Sequence, residues 1–113
     1  MITIYHNPRC SKSRAGLAYL QEKIKDFEIR EYLKDPLNYE EISDLVEKLN
    51  ITPFNLVRTQ EDVYKSEFKG KEFANEEWIQ ILTDNPKLIQ RPIVVKEHSA
   101  VLAQPPENID KLL

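Results

Sequence analysis

The 113-residue chain is 41% hydrophobic, which suits one domain around one core, and no apolar run approaches the roughly 20 residues of a membrane span. Its 16 Lys and Arg against 19 Asp and Glu leave a formal charge of -3. That balance argues against a nucleic-acid binder and confines any basic site to a local patch. The single cysteine, Cys10, rules out an internal disulfide, and the first residues lack the basic-then-apolar pattern of a signal peptide. Both observations predict a cytoplasmic protein.

Ile2-Thr3-Ile4-Tyr5 is a short β-prone run that stops at the turn signal Asn7-Pro8, after which Leu17, Leu20 and Ile24 recur on one helical face. The pattern predicts strand, loop and helix, with Cys10 and Ser11 at the helix start. Phe27 to Tyr32 alternates as a second strand, and a strand–helix–strand unit implies a parallel pair. Asp35-Pro36 breaks the chain. Asn38 can then cap a helix with Glu41 reaching back, and Ile42, Leu45, Val46 and Leu49 form its apolar stripe. Thr52-Pro53 reads as a cap and first helical residue opening a short helix through Phe54, Leu56, Val57 and Arg58. Asn75 followed by Glu76 and Glu77 puts acidic residues in the first turn of a further helix, with Trp78, Ile81 and Leu82 as the apolar face. Ile93-Val94-Val95 and Ala100-Val101-Leu102 fit a hairpin across Lys96 to Ser99, and Pro105-Pro106-Glu107 opens a last helix carrying Ile109, Leu112 and Leu113. Only two glycines are present, which leaves no glycine-rich phosphate loop.

The segment His6-Asn7-Pro8-Arg9-Cys10-Ser11-Lys12-Ser13-Arg14 surrounds the cysteine with cations and hydroxyls. A helix start offers unpaired N–H groups and the positive dipole end, both of which favour a thiolate. Ser11 and Ser13 can donate hydroxyl hydrogen bonds to sulfur or to a bound oxyanion. Free cysteine also serves as a small core hydrophobe, but a polar turn at a strand-to-helix junction favours the nucleophile. His6 fits a strand-end hydrogen bond as well as a catalytic role, and Arg9 and Lys12 read as a solvated helix entry. Arg58 and Arg91 stand out downstream, and Arg91-Pro92 ahead of a strand is a candidate cis peptide. Spacing alone does not bring either arginine to Cys10.

His6-Asn7-Pro8-x-Cys10-x-x-Ser13-Arg14, followed by Arg91-Pro92-Ile93-Val94-Val95 and a proline-led final helix, resembles the glutaredoxin-coupled arsenate reductases (ArsC-type) of the thioredoxin superfamily. The resemblance spans nearly the whole chain. It implies an α/β, thioredoxin-like fold, a small mixed β-sheet flanked by helices, forming a single domain over residues 1–113 with a helical insertion at about 37–90. It implies that Cys10 attacks arsenate to form a covalent adduct, that glutathione attacks the adduct, and that glutaredoxin and a second glutathione complete reduction to arsenite. On the same basis His6, Ser13 and Arg14 tune the thiolate, Arg58 and Arg91 bind the oxyanion, and Pro92 is cis. Gln104 stands where the family carries a third oxyanion arginine. Glutathione is expected as co-substrate, with no bound cofactor, no metal, no nucleic-acid or membrane partner, and a monomeric state.

Two other readings share the fold. One is a glutathione-disulfide oxidoreductase working through a single active cysteine. The other is an Spx-like transcription-regulatory module, but Ser13 occupies the place of that group's second cysteine and so removes its disulfide switch.

Overall fold

In the computed structural model, which describes residues 1–113, Ile2, Ile4 and His6 of strand β1 (Ile2–His6) are buried while Thr3 and Tyr5 between them are partly exposed. This alternation is that of a strand covered on one face. The chain divides into two units, Met1–Asp35 with Arg91–Leu113, and Pro36–Gln90.

The first unit holds β1, helix α1 (Ser11–Lys23), β2 (Glu28–Glu31), β3 (Ile93–Lys96), β4 (Ser99–Leu102) and a 3-10 segment, Pro106–Leu112. The sheet order is β2-β1-β3-β4. β1 pairs parallel with β2, Ile4 opposite Ile29, and antiparallel with β3, Ile4 opposite Val94. The β3–β4 hairpin aligns Val94 with Val101 and turns through Glu97, whose φ of 56° is a conformation usually left to glycine. Ile2, Ile4, Leu20, Val94, Ala103 and Ile109 form the core, with Leu17, Ile24 and Phe27 packed against it. Helix α1 and the C-terminal segment therefore cover the β1 face that ends at His6. Full burial of Ile4 and Leu20 contributes about 1.5–3 kcal/mol each.

The second unit holds α2 (Tyr39–Leu49), 3-10 turns at Pro53–Leu56 and Pro86–Leu88, a π-helical turn at Tyr64–Phe68 and α3 (Asn75–Asp84). Asn38 caps α2 reciprocally: its Oδ1 accepts from Glu41 N at 2.8 Å, and its own N–H donates to Glu41 Oε1 at 3.0 Å. Trp78 of α3 is buried among aromatics, with ring centroids of Phe73 and Phe54 at 4.9 and 5.1 Å.

Four expected elements differ in detail. The second strand is Glu28–Glu31, shorter than Phe27 to Tyr32, because Phe27 turns into the core and Tyr32 is buried beyond the last paired residue. The helix after Thr52 is one 3-10 turn, Thr52 makes no side-chain cap, and Arg58 lies beyond it. Ala74, not Asn75, precedes the first turn of α3, where Glu77 Oε1 accepts from Ala74 N at 2.8 Å, and Ile79 replaces Ile81 in the buried stripe. The last helix is 3-10 throughout.

Candidate active site

β1 ends at His6, the chain turns through Asn7 to Arg9, and Cys10 is the N-cap of α1 with φ -102° and ψ 125°. Cys10 N donates to Asn7 O at 3.1 Å, closing the turn, and Arg14 N donates to Cys10 O at 2.9 Å, opening the helix. Cys10 is half-buried and stands apart from the apolar core. Arg91, buried just ahead of β3, donates from Nε to Cys10 Sγ at 3.0 Å.

Burial pushes the Cys10 thiol pKa up; the backbone N–H groups of Ser13 and Lys12, then the hydrogen bond and charge of Arg91, pull it down, and the net lies below the ordinary thiol value. The Cys10 side chain closes no full capping bond. The two N–H groups therefore act through the positive field of the helix start, while Arg91 supplies the direct bond. These contacts favour the thiolate, the nucleophilic form of the side chain, over the free thiol. Beside it, Arg91 Nη1 is buried without any hydrogen-bond partner. An unpaired buried donor costs about 1–3 kcal/mol, which an acceptor bound next to the sulfur would offset.

The Arg91–Pro92 peptide is cis, as is Gln104–Pro105. Pro92 packs directly on α1: a Cβ built on Gly16 would lie 2.5 Å from Pro92 Cγ. Only a glycine lets the helix and this loop approach so closely. No group of three or more His, Cys, Asp and Glu side chains is placed to hold a metal ion, and no helix is long and apolar enough to cross a membrane.

The sequence profile of the ArsC family matches residues 5–112. The chain belongs to the ArsC family. It is 36% identical to an arsenate reductase of Neisseria meningitidis over 99% of this chain and 97% of the relative. With the YfgD protein of Escherichia coli it shares 40% identity, covering 96% of this chain and 92% of that one. Among solved structures, an arsenate reductase from Vibrio cholerae superposes with a TM-score of 0.94 at 33% identity, covering 99% and 97% of the two chains. The fold is accordingly the thioredoxin-like one of these ArsC proteins.

Within this ArsC chain the predicted site residues have the following partners. Ser13 favours the thiolate through its backbone N–H, while its hydroxyl is fully buried between His6 Nδ1 at 2.7 Å and Asn7 N at 2.9 Å. His6 is thus tied to Ser13. Its pKa is lowered, by burial first and by the Arg14 charge, with Glu31 and Ser13 opposing, so the imidazole is neutral at neutral pH. Arg14 Nη1 donates to Pro8 O at 3.0 Å and pins the loop. Gln104 directs its Nε2 to the carbonyl of Arg91. Arg58 belongs to the second unit, where Nη1 donates to Lys87 O at 3.2 Å, Nη2 lies 3.3 Å from Glu61 Oε2, and Nε is buried without a partner.

Two contributors had no assigned role from sequence. Gly16 sets the distance between α1 and Pro92, and its signal was a glycine inside an otherwise helical pattern. Asn108 Nδ2 donates to Leu102 O at 3.0 Å and Gln104 O at 3.1 Å, securing the 102–104 segment, and nothing in its local sequence marks it.

Proposed function

We propose that this ArsC-family chain reduces arsenate to arsenite through a covalent Cys10 adduct, with glutathione and glutaredoxin supplying the electrons. The observation that carries the reading is the single Arg91 guanidinium with Nε on Cys10 Sγ at 3.0 Å and Nη1 buried and unpartnered. One planar fork then touches both the nucleophile and the place where a tetrahedral oxyanion would accept.

The thiolate attacks arsenic, a sulfur–arsenic bond forms, and one arsenate oxygen leaves as water after taking up protons. A glutathione thiol then attacks the adduct, and glutaredoxin with a second glutathione completes the transfer. Overall two thiols become one disulfide while arsenic passes from the pentavalent to the trivalent state. The external thiol is required because Cys10 is the chain's single cysteine. Arg91 stabilises the charge that grows on the arsenic oxygens. The family resemblance also implies Arg58 as an oxyanion ligand; within its own unit its Nε is buried and unpaired.

A second reading has one observation in its favour. The Gln104 amide is committed to the Arg91 carbonyl and adds no charge for an oxyanion. Reduction of glutathione mixed disulfides at Cys10 needs the thiolate but no site for a tetrahedral oxyanion.

The test is a coupled assay with arsenate, glutathione and active glutaredoxin on wild type and Cys10→Ser. Arsenite formation that disappears in the variant is the expected result. Turnover of a glutathionylated peptide with none of arsenate selects the second reading. Arsenite formation that persists in Cys10→Ser ends the proposal.

A further inference from the structure

We infer that Gln104 is a positioning residue, whose carboxamide N–H on the Arg91 carbonyl holds the Arg91 guanidinium on Cys10 and which takes no part as an oxyanion ligand. Only an N–H can pair with a carbonyl oxygen, so the amide orientation follows from its partner. The segment that presents Gln104 is itself fixed. Ala103 N donates to Pro92 O at 2.9 Å, and Asn108 Nδ2 donates to both Leu102 O and Gln104 O. Two consecutive carbonyls, Arg91 and Pro92, are thus held from two consecutive residues, Gln104 and Ala103. On the other side Pro92 rests against Gly16 of α1, the helix whose N-cap is Cys10. The backbone that carries Arg91 is clamped between the helix bearing the nucleophile and the loop bearing Gln104.

An arginine side chain has several freely rotating bonds and ordinarily wanders. Here the guanidinium is buried with one donor unpaired, a placement that survives only if its own backbone is held. The fixed carbonyl supplies that hold, as outer partners orient the groups that meet a substrate. The charged or titratable side chains nearest Cys10 in the chain are Arg9, Lys12, Arg14 and His6, and from the loop before β3 it is faced by Arg91. Arg14 is tied to Pro8 O and His6 to Ser13, so Arg91 is the side chain that bonds the sulfur and the one through which Gln104 acts.

The inference rests on Cys10 as the nucleophile, but its test reads the thiolate directly and needs no arsenate. The rate of Cys10 alkylation by iodoacetamide is followed against pH in wild type, Gln104→Met, Arg91→Ala and the double variant. Gln104→Met keeps the side-chain length and removes the donor. Its midpoint is expected to rise by about half a unit, roughly threefold less thiolate at a pH below both midpoints. In the Arg91→Ala background the same change is expected to move the midpoint no further, since the effect runs through the guanidinium. Gln104→Leu, uncharged and likewise without a donor, gives the same reading if the methionine variant fails to melt cooperatively. An unchanged midpoint in a folded Gln104 variant, or an equal rise with Arg91 absent, overturns the inference.

Discussion

Arg91 Nε lies 3.0 Å from Cys10 Sγ across 81 positions of sequence, and that contact joins the loop before β3 to the start of α1. Replacing Arg91 with Gln keeps a donor near the sulfur but removes the charge. Cys10 alkylation should titrate at a higher pH, toward the ordinary thiol value. Arsenate turnover should fall by about 10²-fold, the scale on which a lost charge-stabilising donor acts. Arg91→Lys should not restore it, because a point ammonium cannot serve sulfur and oxyanion together. Steady-state kinetics beside the alkylation profile check this, and wild-type kcat in Arg91→Lys would contradict it.

Gly16 presents a conflict between propensity and packing. Alanine favours a helix interior over glycine by about 1 kcal/mol. At this position the new methyl would meet Pro92 Cγ at 2.5 Å, a stiff ring, and overpacking of that kind costs about 1–3 kcal/mol. Gly16→Ala is expected to lower stability by up to about 2 kcal/mol net in urea denaturation and to weaken the Cys10–Arg91 contact. A stabilised variant would show that the Pro92 loop yields freely.

Ser13 separates hydroxyl from backbone. Its Oγ is buried between His6 and Asn7, while its N–H acts on the sulfur. Ser13→Ala should therefore destabilise the fold by about 1–3 kcal/mol, the cost of leaving buried partners unpaired, with little change in the Cys10 titration. A large rise in the alkylation midpoint at unchanged stability would place the hydroxyl, not the N–H, on the thiolate.

His6 predicts a pH dependence with a definite sign. Burial lowers its pKa below the ordinary 6.5, so the unfolded chain binds more protons than the folded one as pH falls past that value. The His6 contribution is complete above pH 6.5 and is lost as pH drops toward the folded-state pKa. Denaturation midpoints measured on either side of pH 6.5 should show that loss in wild type and a flatter profile in His6→Asn. An equal slope in both would assign the acid sensitivity to the carboxylates.

Much of the architecture was legible because local chemistry dictated it. The alternation of Ile2, Ile4 and His6, the Asn38–Glu41 capping pair, and the Ile42, Leu45, Val46 stripe each encode their element within a few residues. Cys10 at a helix start among polar neighbours was readable for the same reason. Finer boundaries were not, since whether Pro106–Leu112 winds as 3-10 or α depends on how Ile109 seats in a core assembled from distant strands.

By itself, then, the sequence determined the strand–helix junction and the residue types gathered at it, because caps, periodicity and turns act over single-turn distances. Tertiary structure alone decided what those residues do. Ser13 gives its hydroxyl to His6 because β1 ends beside α1, Gly16 matters because Pro92 lies against it, and Gln104 meets the Arg91 carbonyl because β4 returns along β3. Contacts between residues so far apart in the chain are set by sheet order and packing, and no local pattern records them.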